Sequence, residues 1–270
     1  MKQAIVFTSF GVADAEARAA SIDSAYEELK KEFPAYEIRQ AYTSNFVRKR
    51  MQQQGQKALS LPEALLGLQE EGFEEVYIQP AHLTPGEEYE NKILAVLAEF
   101  QGRFRKLRAG EPVFFSPEDC IEGLRTVLAC FPLAEGEHLV LLGHGSPHRP
   151  NPVYLELQER ADIAFWPVHI GVVEETDLPN FSMVMARLKH REVRKVLLAP
   201  LLLSGGVHVK EDMAGRDASS WKSRLEEQGI TVRICLRGLG TFPVFRRLYV
   251  EKARKLLQAD GYIKARNCGS

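Results

Sequence analysis

Short apolar runs rich in β-branched residues, most of them ending at glycine, proline or a small residue, alternate along this chain with longer stretches of helical period. That alternation restricts the fold to open parallel sheets with helices on both faces. Predicted strands cover residues 3–9, 37–41, 75–79, 106–109, 138–142, 168–172, 195–199 and 231–235. Predicted helices cover 14–32, 61–71, 87–101, 117–130, 153–165, 177–190, 217–228 and 243–258. The eight strands form two sets of four. Without gaps, residues 6–11 overlie 140–145, which makes Phe10 the counterpart of His144. Residues 76–80 overlie 196–200, so that Gly86 matches Gly206 and Glu88 matches His208. The expected architecture is α/β, with two similar halves, 1–134 and 135–270, each a four-stranded parallel sheet flanked by helices, facing one another across a cleft.

Composition narrows the function classes. The 270 residues are 45% hydrophobic and 26% charged, as in ordinary globular chains. With 35 basic against 36 acidic side chains, no global field favours nucleic acid or an anionic membrane surface, so an anionic ligand must be caught locally. Cys120, Cys130, Cys235 and Cys268 are scattered and form no C-x-x-C pair, which argues against a zinc knuckle or a dithiol redox site. The start lacks a signal-peptide core and no apolar run is long enough to span a bilayer, so a cytoplasmic protein is expected. No Walker, dinucleotide or G-x-S-x-G motif is present.

Histidines supply the chemistry. An apolar run, 139–142, leads into Gly143-His144-Gly145-Ser146, where flanking glycines let the backbone turn and leave an imidazole at the carboxyl end of a strand, the place open α/β sheets use for ligands. The same pattern also describes a histidine satisfied by a carbonyl in a tight turn. In the second half the matching strand is followed by Gly205-Gly206-Val207-His208, in which the paired glycines permit close approach of a flat ligand. Glu174 follows the strand expected beside that of His144, and Glu87, Glu88 and Glu90 open a helix. His82 ends a strand and reads equally well as a cleft residue or a packed one; His169 reads as core. Arg48-Lys49-Arg50 reads as a solvated helix face, or as a carboxylate-binding patch if it lies near the cleft. Two imidazoles with a carboxylate suit a borderline divalent ion such as cobalt, iron, nickel or zinc, and without thiolates such a site can also release the ion. Metal insertion requires that release, and neutral histidine is suited to accept the displaced protons near neutral pH.

Taken together, Thr8-Ser9-Phe10-Gly11, Ala41-Tyr42-Thr43-Ser44, His82 with Gly86-Glu87-Glu88-Tyr89-Glu90, Gly143-His144-Gly145, Val173-Glu174 and the stretch from Gly206 to Met213 followed by Ser220-Trp221-Lys222 resemble the anaerobic sirohydrochlorin cobaltochelatases of the class II chelatase superfamily, relatives of ferrochelatase. The resemblance covers nearly the whole chain and implies two flavodoxin-like halves. It implies metal ligands at His144, Glu174 and His208, catalytic roles for His144, His208 and Glu88, and contact of Ser9, Phe10 and Gly11 with the tetrapyrrole; His82 and Gly206 complete the expected substrate-binding set. The implied reaction inserts Co2+ into sirohydrochlorin, or into precorrin-2, in anaerobic cobalamin biosynthesis. Cobalt is then the substrate metal, no organic cofactor is expected, the partner is the tetrapyrrole rather than nucleic acid or membrane, and a homo-oligomer is allowed. The alternatives are a chelatase for iron or nickel or for a porphyrin, and a non-catalytic haem or tetrapyrrole-binding protein. Thr84-Pro85 departs from the family pattern in a variable loop, which bears on the choice of substrate and metal.

Overall fold

Parallel strands covered on both faces must be apolar along their whole length, and the first strand meets that condition: Ala4, Ile5, Val6 and Phe7 are all fully buried. A computed structural model describes residues 1–146, 148–205 and 209–259. Its strands are β1 Gln3–Ser9, β2 Glu37–Tyr42, β3 Glu75–Pro80, β4 Lys106–Ala109, β5 Glu137–Gly143, β6 Val168–Val172, β7 Lys195–Pro200 and β8 Thr231–Ile234. They form two parallel sheets, ordered β2-β1-β3-β4 and β6-β5-β7-β8. The eight predicted strands are all present, with ends within one residue of expectation.

The halves repeat each other in register. Thr8 lies opposite Pro80 in one sheet and Leu142 opposite Pro200 in the other. Beyond the strand ends, Ala81 N–H donates to Thr8 O at 2.8 Å and Leu201 N–H donates to Leu142 O at 2.7 Å. The pairing also holds on the other flank: Thr43 N–H donates to Ser9 O and Val173 N–H to Gly143 O.

One hydrophobic cluster contains Ile5 and Phe7 from the first sheet together with Leu139 and Leu141 from the second. The outer faces have their own clusters, Ala4 and Val6 on one side, Val140 and Leu142 on the other. Helix Pro243–Gln258 follows the last strand of the second sheet yet packs on the first half: Tyr249, fully buried, meets Phe7 edge-on at 5.6 Å and donates its hydroxyl to Ala81 O at 2.9 Å. Helix Pro117–Cys130, from the first half, packs against helix Val153–Ile163 of the second. A boundary at 134/135 falls between β4 and β5, so the division we propose there partitions the sheets and not the helices.

Several helices differ from expectation. The nine-residue helix Asn45–Gln53 is capped by Ser44 and buries only Val47 and Met51, too short and polar a pattern to stand out in the sequence. Helix Phe181–His190 starts later than predicted because Asn180 is its N-cap, and Trp221–Glu227 starts later because Ser220 is. Residues 15–32 and 87–99 contain wider π-wound turns at Ala19–Asp23 and Glu90–Leu94, and a third occupies Val209–Met213. Such turns recur at functional sites, and these three follow β1, β3 and β7, three of the strands whose ends, with that of β5, line the cleft.

Candidate active site

Gly143, the last residue of β5, leads directly into the site. A Cβ there would sit 2.4 Å from Cε1 of Tyr154, so the phenol ring covers the strand end only because the residue is glycine. Gly145 has φ +81°, and a Cβ on it would meet the Glu174 Cβ at 2.9 Å. Between them His144 is exposed. Its carbonyl accepts the Glu174 N–H at 3.1 Å, so the Glu174 backbone runs beside it. The buried Tyr154 hydroxyl meets the Thr84 side chain and the backbone of Gly145 and His144, and burial raises its pKa above the usual phenol value.

Across from His144 stands the end of β1. Ser9 is buried with its Oγ unpartnered, whereas Phe10 is 50% exposed. Gly11, at φ +94°, turns the chain so tightly that a Cβ would lie 2.9 Å from Cγ1 of Val47. These residues, His82, Glu88, His144, Tyr154 and residues 201–204 line a cleft of about 490 Å³, a volume typical of small-molecule sites.

His82 and Glu88 bring unpartnered polar atoms to this cleft. Both ring nitrogens of His82 and Oε2 of Glu88 are screened from solvent and lack a protein partner. Buried polar atoms are nearly always paired, so a cluster of orphans on one wall points to a polar guest. Burial lowers the His82 pKa to about 4, which keeps its imidazole neutral at physiological pH.

The expected site residues separate into groups. Ser9, Phe10, Gly11, His82, Glu88 and His144 line one cleft. Glu174 is half-buried and flanks Gly145 behind that wall. His208 and Gly206 lie outside the described residues. Among the described residues no group of three or more His, Cys, Asp or Glu side chains is gathered closely enough to hold a metal. Of the basic run 48–50, Arg48 is committed to Glu63, Asn45 and the Ala58 carbonyl, so it serves the fold. Tyr154 was not singled out in the sequence, where it is one apolar position of a helical pattern; only the proximity of Gly143 reveals its role. Arg149 donates to both carboxylate oxygens of Glu90, at 2.9 and 2.8 Å.

No helix among the described residues is long and apolar enough to cross a membrane. Comparison with known proteins agrees with the geometry. The family model for cobalt chelatase (CbiK) matches residues 3–258. The sirohydrochlorin cobaltochelatase of Salmonella typhimurium is 29% identical over 259 residues, 95% of this chain and 97% of that protein. The sirohydrochlorin cobaltochelatase CbiKC of Nitratidesulfovibrio vulgaris is 29% identical over 253 residues, 93% of this chain and 89% of its own. In fold, the chain is similar to the sirohydrochlorin chelatase SirB from Bacillus subtilis subspecies spizizenii in complex with cobalt, with TM-score 0.64, 16% identity and 95% of each chain covered. SirB from Bacillus subtilis with Fe3+ gives TM-score 0.61 at 14% identity, with 96% of each chain covered. The match over nearly all of its length makes this chain a member of the cobalt chelatase family.

Proposed function

We propose that the protein inserts Co2+ into sirohydrochlorin, or its precorrin-2 form. The observation that carries this reading is the facing of an exposed imidazole, His144, and a wall with three orphaned polar atoms, on His82 and Glu88, across a cleft of about 490 Å³. A planar macrocycle would lie between Phe10 and the His144 wall. His144, His208 and Glu174 would hold the incoming ion, a donor set that binds cobalt and still releases it because it contains no thiolate.

Insertion exchanges one divalent ion for two pyrrole protons. The ring becomes a dianion as the nitrogen lone pairs close on the metal, and both protons must leave through groups in the cleft. His144 and His208 would take up protons, with Glu88 assisting from the opposite wall. His82, neutral because burial disfavours its charged form, would face the ring without repelling a dication. The chemistry of the site is also compatible with iron or nickel, since an imidazole and carboxylate set is selective mainly through geometry.

Mixing purified protein anaerobically with sirohydrochlorin and Co2+, Fe2+ or Ni2+ in turn tests the reading. Faster appearance of the cobalt product spectrum than in the protein-free control is expected. A rate equal to the control with every metal, despite tight ring binding, would replace it with a tetrapyrrole-binding protein.

A further inference from the structure

The loop that carries His144 is anchored by a buried acid, Asp177, which lies ahead of helix Phe181–His190 without capping it. Its side chain is fully buried. Oδ2 accepts the N–H of Ser146 at 2.9 Å and that of Asn151 at 3.3 Å, while Oδ1 accepts from Asn151 at 3.2 Å and Leu178 at 2.7 Å. Hydrogen bonds from N–H groups to a carboxylate are among the stronger ones in proteins, and here they converge on the segment immediately after His144. Gly145, between His144 and Ser146, is held so close that a Cβ would lie 3.4 Å from the Asp177 Cβ.

The same carboxylate reaches the opposite wall through one intermediary. Asn151, whose N–H it accepts, directs its Nδ2 to Thr84 Oγ1 and to Pro85 O, both at 3.1 Å. Thr84 and Pro85 belong to the loop between His82 and Glu88. Asp177 therefore fixes the backbone beside His144 and, by way of Asn151, the spacing between the His144 wall and the wall bearing the orphaned groups.

We infer that Asp177 is a positioning residue for metal insertion, setting His144 at the distance from His82 and Glu88 that the reaction needs. This rests on the reading of His144 as a metal-handling residue. Without the carboxylate, Ser146 and Asn151 lose their common acceptor, and the link between the His144 backbone and Thr84 is left to the Tyr154 hydroxyl. Outer groups that orient metal-handling side chains contribute about 10- to 100-fold to affinity or activity.

The test compares full-length Asp177→Ala, Asp177→Asn and His144→Ala with the parent protein. Insertion of Co2+ into sirohydrochlorin is measured as kcat and KM, and the visible absorption of Co2+ bound to each protein without the ring is recorded. Asp177→Ala is expected to lower kcat about 10- to 100-fold and to alter the Co2+ spectrum, with the ring KM changed less than about threefold. Asp177→Asn retains one acceptor oxygen and should recover part of the loss. A folded Asp177→Ala protein with a lower melting temperature but parental kcat and Co2+ spectrum would overturn the proposal. Should Asp177→Ala fail to fold, Asp177→Asn decides: a reduced kcat with a changed Co2+ spectrum supports the role, and parental values overturn it. If His144→Ala inserts cobalt normally, the reading of the site itself falls; if it is inactive while Asp177→Ala is unimpaired, only the positioning role falls.

Discussion

Phe10 and His144 occupy the same step of their two sheets. The Phe10 carbonyl accepts the Ser44 N–H at 3.3 Å, and the His144 carbonyl accepts the Glu174 N–H at 3.1 Å. The duplicated backbone therefore offers an aromatic ring backed by a hydroxyl residue on one side and an imidazole backed by a carboxylate residue on the other. An exposed aromatic at a ligand cleft contributes about 0.5–1.5 kcal/mol through ring contact. Phe10→Ala should raise the KM for the tetrapyrrole about 2- to 10-fold and leave cobalt binding by the free protein unchanged, as read by the two titrations separately.

Removal of either imidazole proposed to handle the metal should abolish the reaction with little effect on folding. His144 is exposed, and exposed substitutions usually change stability by less than about 0.5 kcal/mol. His144→Ala and His208→Ala are each expected to lower insertion by at least about 100-fold, with unchanged circular dichroism.

Gly143 admits no side chain. Its Cβ would fall 2.4 Å from the Tyr154 ring, which is wedged against Thr84 and the His144 backbone. Overpacking of this kind costs about 1–3 kcal/mol. Gly143→Ala should lower the urea midpoint accordingly and, by displacing Tyr154, reduce insertion as well. The double variant Gly143→Ala with Tyr154→Ala should regain part of the lost stability.

Two histidines with solvent-screened ring nitrogens make folding sensitive to acid. Burial lowers the pKa of His82 to about 4 and, together with the nearby His138 and the arginines 187 and 191, that of His169 to about 3. His169 Nε2 lies 3.0 Å from His138 Nδ1, a pairing that requires at least one bare nitrogen. The unfolded chain binds protons below about pH 6.5 while these rings in the native state do not, so stability is full above that pH and falls as pH descends toward 4 and 3. At pH 5 each ring should cost about 2 kcal/mol relative to pH 7.5. Urea melts at the two pH values check this, and His169→Gln should remove about half of the loss.

The last helix is held to the first half by a buried phenol. Replacing Tyr249 by Phe deletes the bond to Ala81 O and leaves that carbonyl without its donor. The expected loss is about 1–2 kcal/mol in chemical denaturation.

The strands were legible because a strand covered on both faces leaves an uninterrupted apolar run, and β1 and β5 are such runs. The repeat was legible for the same reason: with no gaps inside the strands, the pairing of Phe10 with His144 and of Pro80 with Pro200 follows from counting. Helix Pro243–Gln258 was legible as a helix but not as part of the first half, because periodicity identifies an apolar face and not the surface it covers. In the sequence Asp177 looks like the start of a helix, since an acid before a periodic stretch is a helix-opening pattern; its partners, Ser146 and Asn151, are about thirty residues away in sequence. In the sequence His82 fits core and cleft equally well; its place in the cleft lining and the orphaned state of its two nitrogens distinguish them. Among the proposed metal ligands, His144 and Glu174 were marked by strand ends and family likeness, and His208, by the same marks, lies outside the described residues.

Because the returning helix joins Tyr249 to Phe7 and a single apolar cluster runs from Ile5 to Leu141, neither sheet owns a complete core. The cleft is therefore a vice with its jaws cast in one piece, unlike the hinged shell of a protein that closes around its ligand. Heating should melt both jaws in one calorimetric peak, and the proposed macrocycle would have to fit between walls whose separation was set when the chain folded.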